Sequence, residues 1–282
     1  MDLYQAIVRR RSTRRFREEP LPDEVLDQID EIAAHVQPLT TENRFRVMRR
    51  DVVSGEDLIA AMGGYGRVVS PPHFLIGYII GDRAPLVDLG YRMEQIAVRL
   101  VNLGISTCFI GSLGRENDVR VRFHLNRQAR TGAFLIFGYP ADSVTGRTLN
   151  AVIRTAARGS NKLPASEIFH KGTFDQACTP PKELNRVIEA GCLAPSANNA
   201  QPCRLLWHDE TLYLFVKREN SRYGKTVSQD YRYFDAGAYM ANMTLAMEEE
   251  NMLGKWELLK TSNLGIPDHP ETLEALAKLR PR

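Results

Sequence analysis

The chain has 282 residues, 43% of them hydrophobic and 25% charged, the balance of a globular protein able to bury a sizeable core. A formal net charge of +3 gives no pull toward nucleic acid or anionic membranes, and no apolar run reaches the roughly 18 residues of a membrane span. An acid at Asp2 with an arginine block behind it fits no secretory signal. Cys108, Cys178, Cys192 and Cys203 form no CxxC pair and read as reduced thiols, so a cytoplasmic protein is expected.

Helical periodicity opens the chain, with Leu3, Ile7 and Val8 on one face. Six of the nine residues from Arg9 to Arg17 are then arginine. A second helix is expected after Leu21-Pro22, with Val25, Ile29 and Ile32 facing inward. Phe45 to Val53 alternates as a strand would. Ser54 and Asp57 make a capping pair for a short helix closed by Gly63-Gly64. Phe74 to Ile80 reads as a buried strand, and Leu89, Met93, Ile96, Leu100 and Leu103 form the stripe of a long helix ended by Gly104. Another strand covers Phe134 to Phe137. From Ala141 to Pro181 the composition turns polar, as in a connecting arm.

After the arm the order of elements begins again. Leu184, Val187 and Ile188 belong to a helix, Cys203 to Trp207 and Leu212 to Val216 to strands, and a long helix follows from Asp235. Its start repeats that of the earlier long helix at one constant offset: Asp88 and Asp235, Gly90 and Gly237, Met93 and Met240, Gln95 and Asn242. Two copies at so long a period indicate duplication and not a solenoid. The expected division is a first half over 1–150, an arm over 151–180 and a shorter second half over 181–282.

Two motifs carry chemistry. Arg10-Arg11-Ser12-Thr13-Arg14-Arg15-Phe16 combines guanidinium forks with a hydroxyl, which suits a phosphate; by its spacing alone it reads equally as a basic surface arm. Ala194-Pro195-Ser196-Ala197-Asn198-Asn199-Ala200-Gln201-Pro202 is a turn of small and amide side chains that leaves room for a flat polar ligand; alone it reads as an ordinary helix-to-strand loop. The six histidines pair with nothing by spacing and suggest no metal site or catalytic triad.

Taken together, Arg-Arg-Ser-x-Arg-x-Phe and Ala-Pro-Ser-x-x-Asn-x-Gln-Pro resemble the paired signatures of the nitroreductase-type FMN flavoproteins, in particular the fused, double-domain branch. The resemblance implies an α+β fold of two tandem half-repeats, each with a mainly antiparallel sheet flanked by helices, packed as a pseudo-dimer. In a typical member both motifs lie in each subunit, and FMN sits at the homodimer interface. Here each half keeps one motif. Aligning Leu26 with Leu184 sets Gln37-Pro38-Leu39-Thr40-Thr41 against Pro195-Ser196-Ala197-Asn198-Asn199, and Gly172 to Ala177 holds no arginine. One FMN site is implied, built from Arg10, Arg11, Ser12 and Arg14 of the front and Pro195, Ser196, Ala197, Asn199 and Gln201 of the rear.

The resemblance further places a backbone N–H of Gly111 or Ser112, after Ile110, near flavin N5, and Lys162, with Arg158, near the phosphate. It implies an oxidoreductase in which FMN takes hydride from NAD(P)H and reduces a small organic acceptor such as a nitro compound, quinone or enone, with no catalytic side chain required. Cys203 stands where the family usually has Trp, which keeps open a flavin-binding protein without turnover. Fusion also makes a monomer sufficient. The segment from Arg218 to Tyr233, with three tyrosines, reads as a lid or an exposed loop.

Overall fold

The computed structural model describes residues 2–51, 54–63, 69, 71–141, 161–260 and 265–281. The expected boundary at 150 and the residue Arg158 lie outside them. Asp2 caps α1 (Leu3–Arg9) by accepting the Gln5 N–H at 2.6 Å. Helix α2 (Asp23–Ala34) starts directly after Leu21-Pro22, as its spacing predicts, and buries Leu26, Ile29 and Ala33. Strand β1 (Arg44–Arg50) leads to α3 (Gly55–Met62), whose Ser54 cap accepts the Asp57 N–H at 3.1 Å. Then come β2 (His73–Ile80), α4 (Pro85–Asn102), β3 (Ser106–Gly111), α5 (Glu116–Arg122) and β4 (Ala133–Gly138).

Beyond the undescribed stretch, α6 (Ala165–Ile168) and β5 (Phe169–Lys171) precede α7 (Lys182–Cys192), β6 (Cys203–His208) and β7 (Thr211–Lys217). The second long helix, α8 (Tyr231–Glu249), begins four residues before the expected Asp235, and β8 (Trp256–Leu258) and β9 (Leu273–Leu279) complete the chain. No described helix is long and apolar enough to cross a membrane.

The first sheet runs β1-β2-β4-β3, all antiparallel. The second runs β5-β6-β7-β9-β8, antiparallel except for the β5–β6 pair. Without β5, the second sheet repeats the strand order of the first, helix for helix and strand for strand, apart from α3 and α5. Residues 161–171 therefore do more than connect: they add an edge strand to the second sheet. Helix α1 crosses over as well, burying Ala6 and Ile7 in a core with Leu184, Val187 and Ile188 of the rear half.

The halves are joined along α4 and α8, the two copies of the repeated segment. A Cβ on Gly90 would lie 2.0 Å from the Phe234 carbonyl oxygen, and one on Gly237 would lie 2.0 Å from the Val87 carbonyl oxygen. The contacts are reciprocal, because Val87 and Phe234 are themselves equivalent positions of the repeat. Each glycine lets the opposite helix backbone approach to a distance that no side chain allows. The two buried aspartates are equivalent too. Asp88 accepts the Leu39 N–H and Asp235 the Ala197 N–H, both at 2.9 Å. Leu39 and Ala197 are aligned positions in the register derived from sequence, so the structure bears out that register.

Because the contact is backbone to backbone, alanine at Gly237 forces the helices apart although it favours helix locally. Overpacking of this kind costs about 1–3 kcal/mol, against a gain of about 1 kcal/mol in helix propensity. Gly237→Ala is expected to lower the urea midpoint; a variant at least as stable as the parent would contradict this account of the crossing.

Candidate functional site

Helix α1 ends at Arg10, and the arginine run then lies along the free edge of the first sheet. Ser12 bridges Thr107 of β3, the Thr13 N–H donates to the Thr107 carbonyl at 3.0 Å, and the Arg17 N–H donates to Tyr139 at 2.9 Å. Arg11 is exposed, and its Nη1 closes the helix end on the Val8 and Arg10 carbonyls at 2.6 and 2.8 Å. Ser12 and Arg14 are half-buried against Cys108. Burial pushes the Cys108 thiol up, while the Arg14 charge and a hydrogen bond from Ser12 oppose that shift.

Arg10 turns inward instead. It is 7% exposed, and its Nε lies 3.6 Å from an oxygen of Glu94 in α4, which is wholly buried. Neither Glu94 oxygen nor Arg10 Nε makes a hydrogen bond among the described residues. This is an ion pair of poor hydrogen-bonding quality, and such a pair in a dry site is costly.

The Pro-Ser turn lies between α7 and β6. Asn198, Asn199 and Gln201 have φ of 51°, 53° and 48°. Asparagine tolerates the left-handed region, but glutamine there is strained, and strain of this kind persists only when neighbours over-determine it. They do so here. Ser196 Oγ accepts the Gln201 N–H at 3.1 Å, and Asp235 holds Ala197 from α8. Asn199 Nδ2 and Gln201 Nε2 both donate to the Asn161 carbonyl, at 2.9 and 3.0 Å. Gln201 Oε1 accepts the Leu163 N–H at 2.7 Å, and Lys162 Nζ donates to the Ala194 carbonyl at 2.5 Å. Pro195 supplies no donor and starts the turn.

Lys162 is the link between front and rear. Burial, then the Arg10 charge, lowers its pKa to about 8, with Asp235 and Glu94 acting the other way. Burial raises Glu94 to about 7 against the pull of Arg10 and Lys162. Burial also raises Asp235 to about 7, although it accepts from Tyr223 Oη at 2.7 Å and from Ala197. Two cations and two acids, drawn from the end of α1, α4, the 161–163 segment and α8, thus share one poorly solvated region. The arginine motif and the amide turn meet there.

At the end of β3 the structure separates the three residues expected beside the flavin. Ile110 and Ser112 are buried and Gly111 is exposed. The Ser112 N–H is occupied by the Gly132 carbonyl at 2.9 Å, and its hydroxyl lies 3.4 Å from Thr131 Oγ1. This tells against the expectation for Ser112, whose N–H is engaged within the chain by a bond just past the ends of β3 and β4. Tyr231 packs on Gly111 so closely that a Cβ there would lie 2.2 Å from its hydroxyl oxygen, which accepts the Leu113 N–H at 3.0 Å. Burial pushes the Tyr231 phenol up to about 12, so it stays neutral.

The tyrosine-rich segment is therefore anchored. Tyr223 is tied to Asp235, Tyr231 to the end of β3 and Tyr233 to Glu274. Sequence reasoning missed Glu94, Tyr223 and Tyr231 as site residues, and saw Asp235 only as a mark of the repeat. The available signal for Glu94 was a charge whose neighbours one helical turn away, Gly90, Tyr91, Ala97 and Val98, are apolar.

Two antiparallel sheets on a shared helix pair, with a cationic edge facing an amide turn, define a two-half nitroreductase-like protein. The chain belongs to the family described as "Putative TM nitroreductase", whose model matches residues 2–247. It is similar in structure to a "putative nitroreductase" from Thermotoga maritima MSB8, at 19% identity and a TM-score of 0.60, over 99% of this chain and 94% of that one. A nitroreductase family protein from Clostridium novyi NT aligns with 50% of this chain and 87% of its own, at 21% identity and a TM-score of 0.42. A "putative nitroreductase in complex with FMN" from Desulfovibrio desulfuricans gives the same coverage, identity and TM-score. No curated protein matches the chain.

The buried acid Glu94 also sets a pH dependence of stability. Its carboxyl titrates near 7 in the folded chain and near 4.3 when unfolded. The contribution is therefore full below about pH 4 and is lost as pH rises through 7, a difference on the order of 4 kcal/mol. The ligand-free chain is expected to lose urea resistance between pH 5 and about 7.5, and Glu94→Gln to remove part of that loss. Parallel pH curves for parent and variant would contradict the assignment.

Proposed function

We propose that the meeting point of the arginine edge and the amide turn is an FMN site, and that the chain is an FMN-dependent NAD(P)H oxidoreductase acting on a small organic acceptor. The observation that carries this reading is a pair of cations, buried Arg10 and half-buried Lys162, placed against a turn of amides and small residues. Arg10 Nε is buried without a hydrogen-bond acceptor among the described residues, and Lys162 is held below its ordinary pKa. Both features fit an anionic group that would complete the region. A phosphate monoester, with three strong acceptor oxygens, has that chemistry.

On this reading Arg10, Ser12 and Lys162 hold the phosphate end, with Arg11 at its solvent side, and Arg14 lies toward N1 and O2 of the flavin, where reduction leaves negative charge. Pro195, Ser196, Ala197, Asn199 and Gln201 hold the polar edge of the ring, while Ile110 and Gly111 border its reactive side. When bound, FMN supplies hydride transfer at N5, from NAD(P)H and on to a nitro compound, quinone or enone. The chain's own part is to bind, orient and exclude water. Tyr231 keeps a neutral phenol beside Gly111, with its oxygen already accepting from Leu113, so its hydrogen is the part left to donate. Both sides of the site come from one chain, so a monomer suffices, and the expected partners are small molecules.

A second reading, a flavin-binding protein without turnover, is favoured by the tight seat of Tyr231 on Gly111 and by the buried Cys203 at the position usually held by Trp. One experiment separates the two. Purified protein is expected to be yellow and to bleach under anaerobic NADH or NADPH. Yellow protein indifferent to both nicotinamides would support binding alone, and colourless protein that takes up no FMN would remove both readings. Arg10→Ala is expected to weaken FMN binding about 10- to 150-fold, the effect of losing a charge-assisted contact of about 1.5–3 kcal/mol, as read by flavin fluorescence.

A further inference from the structure

The duplication contains an experiment of its own. Helices α4 and α8 superpose through their glycines and aspartates, yet Glu94 of α4 has Ala241 as its counterpart in α8. The half that keeps the arginine run thus keeps a buried acid facing it, and the half without arginines has a methyl group there. A carboxylate inside a site meant for an anion is electrostatically wrong unless it has a task. Its surroundings indicate the task. Glu94 is fully buried, both of its oxygens lack hydrogen bonds among the described residues, and its one ion pair is with Arg10 at 3.6 Å.

We propose that Glu94 is a positioning residue for the phosphate end of the site, holding the Arg10 guanidinium inside the ligand-free chain and taking up one proton from solvent when a phosphate monoester docks on Arg10 and Lys162. The inference rests on the FMN reading above and adds to it a proton-coupled step. No covalent bond changes except the O–H formed on the Glu94 carboxyl. The phosphate takes over the charge that Glu94 gave Arg10, and the two anions are never buried side by side in ionised form. An isolated buried carboxylate next to a phosphate would face like-charge repulsion in a medium that screens poorly, and protonation is the usual escape.

Among the described residues two charged groups face Glu94: Arg10 from the end of α1 and Lys162 from the 161–163 segment. Asp235 of α8 and Cys192 of α7 act in turn on Lys162. The ligand-free carboxyl titrates near pH 7, so the coupling belongs to the range from 7 to 8. The sign is fixed. Above that range the free chain has Glu94 ionised and the bound chain has it neutral, so affinity falls as pH rises. Lys162 titrates near 8 and contributes in the same direction, which makes the comparison with a variant at position 94 necessary.

The test is titration of FMN into chain freed of flavin, by fluorescence and by calorimetry in two buffers of different ionisation enthalpy, with riboflavin as the probe lacking phosphate. For the parent, the FMN Kd is expected to rise about tenfold from pH 7 to 8, about fivefold from the Glu94 proton and about twofold from Lys162. Proton uptake should approach one per FMN at pH 8, and riboflavin should show no such dependence. Glu94→Gln should bind FMN with less than a threefold change over that range and take up correspondingly fewer protons. Glu94→Ala, which copies α8, is the second variant if the amide disturbs folding, and it should flatten the profile likewise. FMN binding whose slope and proton count survive both substitutions would overturn the positioning role and leave the FMN site standing. FMN binding absent at every pH would overturn the site itself, and this inference with it.

Discussion

The structure depends on two helix backbones touching. Gly90 and Gly237 bring α4 and α8 together at carbonyl distance, and the contact is reciprocal because the two glycines are copies of one position. From that crossing each half orients its sheet, and each helix uses its aspartate to hold a turn of its own half, Asp88 at Leu39 and Asp235 at Ala197. The crossing is also what allows the end of α1, the 161–163 segment and the turn before β6 to reach one another. A looser junction would leave the arginine edge and the amide turn as two unrelated surface features.

Duplication within one chain relaxes a constraint that separate identical subunits cannot escape. In a symmetric pair every residue serves both sites, so each motif must be present in both copies. Once fused, the copies are free to differ: the rear half has no arginine run, the front half has no Pro-Ser turn, and Glu94 stands opposite arginines in the half that has them while its counterpart is Ala241. The energetic consequence is an uneven interior. Buried Glu94 and Asp235 and half-buried Lys162 have pKa values displaced toward neutrality by loss of solvent. Displacements of this kind are common where an interior is shaped for a ligand and not for stability alone.

Much of this was legible in the sequence because the signals were periodic or paired. The helical stripe from Leu89 to Leu100 and the Ser54 cap read correctly, although Leu103 caps the helix and is exposed, and the repeat gave the register that pairs Leu39 with Ala197. The missed elements had weak or misleading local signals. Strand β9 has the sequence Leu-Glu-Ala-Leu-Ala-Lys-Leu, composed of good helix formers, and becomes a strand because β7 and β8 pair with it on both sides. Strand β8 has only three residues, and β5 lies within a polar stretch. Tyr223 and Tyr231 looked like loop aromatics, since nothing local shows that Asp235 and the end of β3 are waiting for them. The availability of the Ser112 N–H was likewise a question of its tertiary contact with Gly132, which spacing does not answer.

The claim at the centre is that one ligand site is assembled across the two halves at this crossing. The most direct measurement is a crystal structure of the chain grown with FMN. The account predicts one flavin per chain, its phosphate on Arg10 and Lys162 and its ring against Ala197 to Gln201. Two flavins related by the internal pseudo-symmetry, or one bound away from Arg10, would contradict it.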